Sequence, residues 1–319
     1  MCFTKQLLSV TILLVTWHTS LFGLQGVRYS VVDGDKSKLF DKMINEKLRS
    51  INFVLLEPLT RVNELYKEDF GSTDLDNLGF APVSNDQLML PLLLKVPELG
   101  AFTPFNLHIF KRTSQDQTYI GHLTPDTMLD IAGVKDQQIR KEFSSQFGGL
   151  DLLVDKEMNG TIEYVEYSQL PASPLLQFSF SLKELEAPER YLEAFQEKLE
   201  TLLDERGYIV TGYRDIKALA GERGVAFNRY GAYRIYSFCH IAFSEAVFNH
   251  GRPDAGVFAP CSMYIYNIEG SDTVIVGLPA IENWISVMGI NDNEMINMAR
   301  YRDNEIIEIM KSLGGIHFE

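Results

Sequence analysis

Gly100-Ala101-Phe102-Thr103-Pro104-Phe105-Asn106-Leu107-His108-Ile109 and Gly256-Val257-Phe258-Ala259-Pro260-Cys261-Ser262-Met263-Tyr264-Ile265 are one segment written twice, 156 positions apart. The match runs on without a gap, laying Asp116, Gly121 and Gly133 on Asp272, Gly277 and Gly289. A slide of 128 positions also lays Asp76-Asn77-Leu78-Gly79-Phe80 on Asp204-Glu205-Arg206-Gly207-Tyr208. Such a period in a 319-residue chain predicts two copies of one domain of about 150 residues rather than a solenoid. The expected boundaries are 1–23 for a leader, 24–170 for the first repeat and 171–319 for the second. Shared positions are expected to hold the fold, and positions where the copies differ are candidates for function.

Hydrophobic residues make up 45% of the chain, enough to bury two ordinary cores. The formal net charge of -14 argues against a nucleic-acid partner, because phosphate binding needs a concentrated basic surface and no Lys/Arg cluster stands out. At the N-terminus, Lys5 precedes the apolar run Leu7-Leu8-Ser9-Val10-Thr11-Ile12-Leu13-Leu14-Val15, which His18, Thr19 and Ser20 break off. That is the pattern of a signal peptide or an uncleaved anchor, and it predicts a periplasmic or secreted protein. Membrane contact is expected only through this segment if it is retained. Cys2 falls inside it, leaving Cys239 and Cys261 as the cysteines of the mature chain, a permissive setting for one disulfide.

In the second repeat Leu176, Phe178, Phe180 and Leu182 alternate as in a half-buried strand. A helix follows, with Pro188 near its start, Gly207 past its end, and Tyr191, Phe195, Leu199 and Leu202 at helical spacing. Further strands are expected over 208–213, 233–241, 257–266 and 273–277. A final helix carries Met295, Ala299, Ile306, Ile309 and Leu313 on one stripe, with Asn291 and Glu294 as a cap and Gly314-Gly315 as its stop. The order β-α-β-β-β-β-α is an α+β layer, an antiparallel sheet with helices on one face. In the first repeat Ile51-Asn52-Phe53-Val54-Leu55 reads as the opening strand. There Lys95-Val96-Pro97-Glu98 stands where the second repeat has the longer run 242–255, so a short helix around Phe243-Phe248 is expected in the second repeat alone.

Phe238-Cys239, then Ala255-Gly256-Val257-Phe258-Ala259-Pro260-Cys261, then a strand ending at Tyr266, resemble the family catalogued as domain of unknown function 302. The resemblance covers about 150 residues of the second half and is fainter in the first. It implies a TATA-binding-protein-like fold, in agreement with the order of elements read above. The family has no agreed activity, so the resemblance implies no reaction, cofactor or site.

Sulfur is the sharpest chemical feature. Cys261 and Met263 share a face of one expected strand and Cys239 lies on the strand before, while the first repeat has Phe105 and Leu107 opposite Cys261 and Met263. Thiols beside a thioether suit Cu(I) or another soft ligand, two close thiols suit disulfide exchange, and apolar counterparts suit plain core packing. His108 and His122, on the two strands of one hairpin, are candidate metal ligands if they are diagonal neighbours, though no third ligand is evident. Asp155-Lys156-Glu157-Met158-Asn159-Gly160-Thr161-Ile162-Glu163-Tyr164-Val165-Glu166 has the spacing of a calcium loop, but Asn159-Gly160 between two β-rich flanks predicts a hairpin instead. No Gly-x-Ser-x-Gly elbow, His-Glu-x-x-His, phosphate loop or dinucleotide fingerprint is present. The sequence therefore points to an exported, non-enzymatic protein that binds a small ligand or a protein partner. The alternative is thiol-based redox or sulfur handling through Cys239 and Cys261.

Overall fold

A computed structural model describes residues 23–182 and 188–318; the leader pattern lies outside the described residues. The chain forms two six-stranded antiparallel sheets with helices, an α+β architecture in two modules. The first module runs β1 (Leu24–Asp33), α1 (Ser37–Glu46), β2 (Val54–Leu55), α2 (Val62–Phe70), β3 (Leu75–Ser84), α3 (Asp86–Lys95), β4 (Phe105–Arg112), β5 (Gln117–Leu123), α4 (Pro125–Ile131), α5 (Gln137–Ser144), α6 (Phe147–Met158) and β6 (Thr161–Tyr167). The second runs β7 (Leu175–Ser181), α7 (Pro188–Glu205), β8 (Tyr208–Asp215), α8 (Ile216–Glu222), β9 (Tyr230–His240), α9 (Ile241–Ser244), β10 (Cys261–Ile268), β11 (Thr273–Pro279), α10 (Glu282–Val287), α11 (Asn293–Ser312) and β12 (Ile316–His317). The sheets read β2-β3-β4-β5-β1-β6 and β12-β7-β11-β10-β9-β8, the same order strand for strand when the second is reversed.

The second module follows its sequence pattern closely. Leu176, Phe178 and Phe180 of β7 point into one core with Leu192, Phe195 and Leu199 of α7 and Ile306, Ile309 and Met310 of α11. Asp292 caps α11 by accepting from the Met295 N–H at 2.9 Å, so the cap sits between the two residues expected to form it.

The first module departs from expectation in three places. Its opening strand is β1, and of 51–55 only Val54–Leu55 is strand, pairing with Ser84 and Val83 at the sheet edge. Asp76–Phe80 belongs to β3, whose counterpart is β9, so the slide of 128 positions has no structural meaning, whereas the slide of 156 extends from β3 through β5. The connector from β3 to β4, 85–104, equals in length the connector from β9 to β10, 241–260. It holds α3, so a helix is present here in both modules. Leu88 to Leu94 hides that helix: Met89, Leu90, Leu92 and Leu93 are all buried, so no polar stripe marks the helical period. Asn85 caps it by accepting from the Leu88 N–H.

Asn159-Gly160 is a helix stop and not a hairpin. Asn159 takes the left-handed conformation (φ 53°) and closes α6 against β6, a job the same Asn-Gly signal serves. Gly148 and Gly149 lie inside that helix. Gly133 and Gly289, matched in the repeat, both adopt positive φ, +70° and +59°, after α4 and α10. The bonds Thr103-Pro104 and Ala259-Pro260, which the repeat superposes, are both cis.

The two modules clasp each other through those equal connectors. Around Gly256 the second connector lies on the first sheet, where Tyr29 Oη donates to Asp254 O (2.7 Å), Asn106 Nδ2 to Gly256 O (2.8 Å) and Arg112 Nη2 to Gly251 O (2.8 Å). Around Gly100 the first connector lies on the second sheet, where Tyr230 Oη donates to Leu93 O (2.7 Å) and Tyr233 Oη to Pro97 O (2.5 Å), while Arg229 reaches Leu94 O and Lys95 O. The last carbonyls of a helix have no partner inside it, so the far module caps α3. An arginine there also faces the negative end of the helix dipole. One continuous apolar core accordingly contains residues of both modules.

Candidate functional site

The repeat relation brings matched residues face to face where the modules meet. Pro104, Phe105 and Asn106 face Pro260, Cys261 and Ser262 across a narrow chamber of about 20 Å³. A second chamber of about 60 Å³ shares the walls Pro82 and Pro104 with it. There Leu56 and Glu57, just past β2, face Thr211 and Arg214 of β8 and Ser237 of β9. Together they make one cleft along the module junction.

The polar groups of this cleft are incompletely matched. Asn106 is 5% exposed, and its Oδ1 is buried with no protein hydrogen-bond partner among the described residues. Thr211 Oγ1 and Arg214 Nη1 are in the same condition. Buried polar groups are paired in the great majority of cases, by protein, water or ligand, so such a cluster asks for an occupant. A β-bulge between Val210 and Gly212 sets this stretch of β8, a device common beside binding sites. Arg214 is anchored from the other side, Nη2 donating to Asp86 Oδ1 at 2.7 Å.

Of the sulfur residues, only Cys261 lines the cleft. The pairing sets Cys261 opposite Phe238, so strand alternation turns Cys239 to the other face of the sheet, and both are free thiols. Cys239 lies beside Ser244, whose hydroxyl accepts from Tyr66 Oη at 3.1 Å. Burial pushes both thiols up, Cys261 the further, so each stays protonated at neutral pH. Met263 is fully buried in the core under α7 and α11.

The histidines are also parted by register. His108 stands opposite Gly121, so His122 faces the other side of the sheet, and the diagonal contact expected of them is absent. His108 is wholly buried in the module junction, with Nδ1 3.0 Å from Gly79 O and Nε2 2.8 Å from Pro253 O. Burial lowers its pKa to about 4 although both carbonyls favour the proton. His122 Nε2 instead meets Asp151 Oδ1 at 2.9 Å, in a cluster where Arg28 binds Asp155 at 2.6 Å. Asp155 of the calcium-like run is thus a partner of Arg28. No group of three or more His, Cys, Asp or Glu among the described residues is arranged to hold a metal ion. Nor is any described helix long and apolar enough to cross a membrane.

Asp303 of α11 caps α10, accepting from the Ile281 N–H at 2.7 Å and the Glu282 N–H at 2.9 Å. Burial nevertheless pushes its carboxyl up from 3.8 to about 7, against the pull of those two N–H groups. As pH rises the unfolded chain releases this proton first. The stabilisation is therefore complete below about pH 3.8 and is lost as pH climbs through about 7. Asp303→Asn removes that loss. Its stability relative to wild type should improve by on the order of 2 kcal/mol between pH 5 and 8, read from parallel urea titrations. Parallel profiles for the two proteins would contradict the raised carboxyl.

Sequence reasoning missed Thr211, Arg214, Asn106 and Asp86. No local motif marks them, because the cleft is made by residues distant in the chain. The one available signal was the difference between copies, Asn106 against Ser262 and Phe105 against Cys261.

Residues 184–313 match the family model "Domain of unknown function DUF302". The chain thus carries, in its second half, a segment similar to that family, and the first module repeats its strand order. Among solved structures, this chain is similar to an uncharacterized conserved DUF302 protein from Bacillus stearothermophilus. The two are 18% identical over 42% of this chain and 95% of that one, with a TM-score of 0.34. No curated protein matches the chain.

Proposed function

We propose that this is a non-enzymatic small-ligand-binding protein whose site is the cleft between the two modules. The observation that carries the reading is that three residues lining the two chambers, Asn106 in the first and Thr211 and Arg214 in the second, each hold a buried polar atom with no protein hydrogen-bond partner among the described residues. A mostly apolar cleft with a few convergent polar groups is the usual form of a binding site. The larger open groove of about 600 Å³ beside α11 is a weaker candidate, because its Arg302 is engaged by Glu305 at 2.6 Å. Sulfur chemistry is disfavoured by thiols that burial keeps protonated and that face opposite sides of one sheet. The pattern at Lys5 and the apolar run after it supports export, and the proposal includes an extracytoplasmic location.

A thermal-shift screen of diverse small molecules on the wild type and on Thr211→Phe tests the site. Ligands raising the wild-type Tm by several degrees should lose that effect when the phenyl ring fills the cleft. Equal shifts in both proteins would place binding elsewhere and overturn the reading.

A further inference from the structure

We infer that the outer chamber of the cleft is an oxyanion site that takes a phosphate, sulfate or carboxylate group on Arg214 and Thr211. The inference rests on the cleft reading above and goes on to name the chemistry of the occupant.

Charge is the first argument. Asp86 is 4% exposed and accepts from Arg214 Nη2 (2.7 Å), Arg223 Nη2 (2.9 Å) and Ser84 Oγ (2.7 Å). Two guanidinium groups share one carboxylate, Arg214 from the interior and Arg223, 41% exposed, from the solvent side, so the trio carries a net positive charge. That charge favours an anion over a neutral occupant beside Arg214. Among the described residues, the one other charged group lining this chamber is the Glu57 carboxylate, and Glu57 is itself exposed.

Donor geometry is the second. The guanidinium presents a fixed fork: Asp86 takes one Nη, and the other is out of solvent with no protein acceptor among the described residues. Thr211 adds a hydroxyl in the same condition, and Ser237 lines the wall with another. Guanidinium N–H groups can only donate, so an occupant that meets Arg214 must present acceptor atoms, which the oxygens of a phosphate, sulfate or carboxylate supply as a charged pair. The volume of about 60 Å³ holds a group of a few heavy atoms and not a whole drug-sized metabolite.

Glu57 gives the inference a distinctive signature. It lines the chamber without a salt bridge to Arg214, so it opposes an anion there and favours a cation. Removing its charge must therefore tighten oxyanion binding, while removing donors must weaken it.

The experiment is calorimetric titration of the full chain with inorganic phosphate, sulfate and acetate at constant ionic strength, with chloride as control. Saturable binding of at least one oxyanion is expected. Thr211→Val should weaken it about 5–10-fold by loss of one hydrogen bond, and Arg214→Gln by more than about 30-fold. Glu57→Gln should tighten it about 3-fold. Thr211→Val and Glu57→Gln keep the inference testable if Arg214→Gln fails to fold. Absence of saturation, or affinities unchanged by both of those variants, overturns it. If oxyanions fail while neutral or cationic compounds give shifts sensitive to Thr211→Phe, the oxyanion assignment falls and the cleft reading stands. If no compound gives such a shift, both fall.

Discussion

Alanine at Gly100 is expected to cost the folded chain about 3 kcal/mol, a large effect for one methyl group. A Cβ built there falls inside contact distance of Tyr233 Oη and 2.7 Å from Tyr264 Cβ. Neither neighbour can give way. Tyr264 Cβ is fixed to the backbone of β10, and Tyr233 is wholly buried with its hydroxyl on Pro97 O. The connector must lift from the sheet, and the Tyr230 cap on α3 and the Tyr233 bond to Pro97 O lengthen with it. Gly256→Ala repeats the experiment in the other module, where the Cβ would meet the His108 ring at 2.5 Å and Phe80 at 3.0 Å. Urea denaturation of both variants checks this. Losses under about 0.5 kcal/mol in both, the range of ordinary surface substitutions, would show that the junction is loose.

Asp86→Ala is expected to be as severe or worse, at about 3–5 kcal/mol, because it strips the buried counter-charge from Arg214, whose side chain is 12% exposed. Asp86 belongs to the first module and Arg214 and Arg223 to the second, so this ion cluster joins the two. Arg223 is 41% exposed, so Arg223→Ala should cost less than about 1 kcal/mol, and the contrast between the two variants is the test. Equal small losses would mean that water already solvates the cluster. Since one core runs through both modules, each variant should still unfold in a single transition.

The second module was legible because its elements carry clean local signals. β7 alternates, α7 and α11 keep a buried stripe, and Gly207 and Gly314 sit beyond the helices they end. The first module obscures the same plan. It divides the place of α7 between α1 and α2, and that of α10 and α11 among α4, α5 and α6. Its α3 is apolar on almost every side, since it is pressed between its own module and the other, and apolar runs with no polar face do not declare a period. Asn159-Gly160 misled because a left-handed asparagine serves a hairpin and a helix stop alike. The cleft was illegible for a different reason. Asp86 and Arg214 are 128 residues apart, and only the docking of two sheets makes them neighbours.

The mutual clasp also bears on how such a molecule can change over time. Separate copies of one module, joined the same way, would form a two-fold dimer in which every substitution at the axis arrives twice. Tethering holds the halves at a millimolar effective concentration whatever the expression level, so docking no longer depends on abundance. It also releases each half from being the mirror of the other. Phe105 can face Cys261, Asn106 can face Ser262, and one arginine can stand in the cleft with a glutamate across from it. A lopsided pocket of this kind is open to a fused pair and closed to a symmetric one.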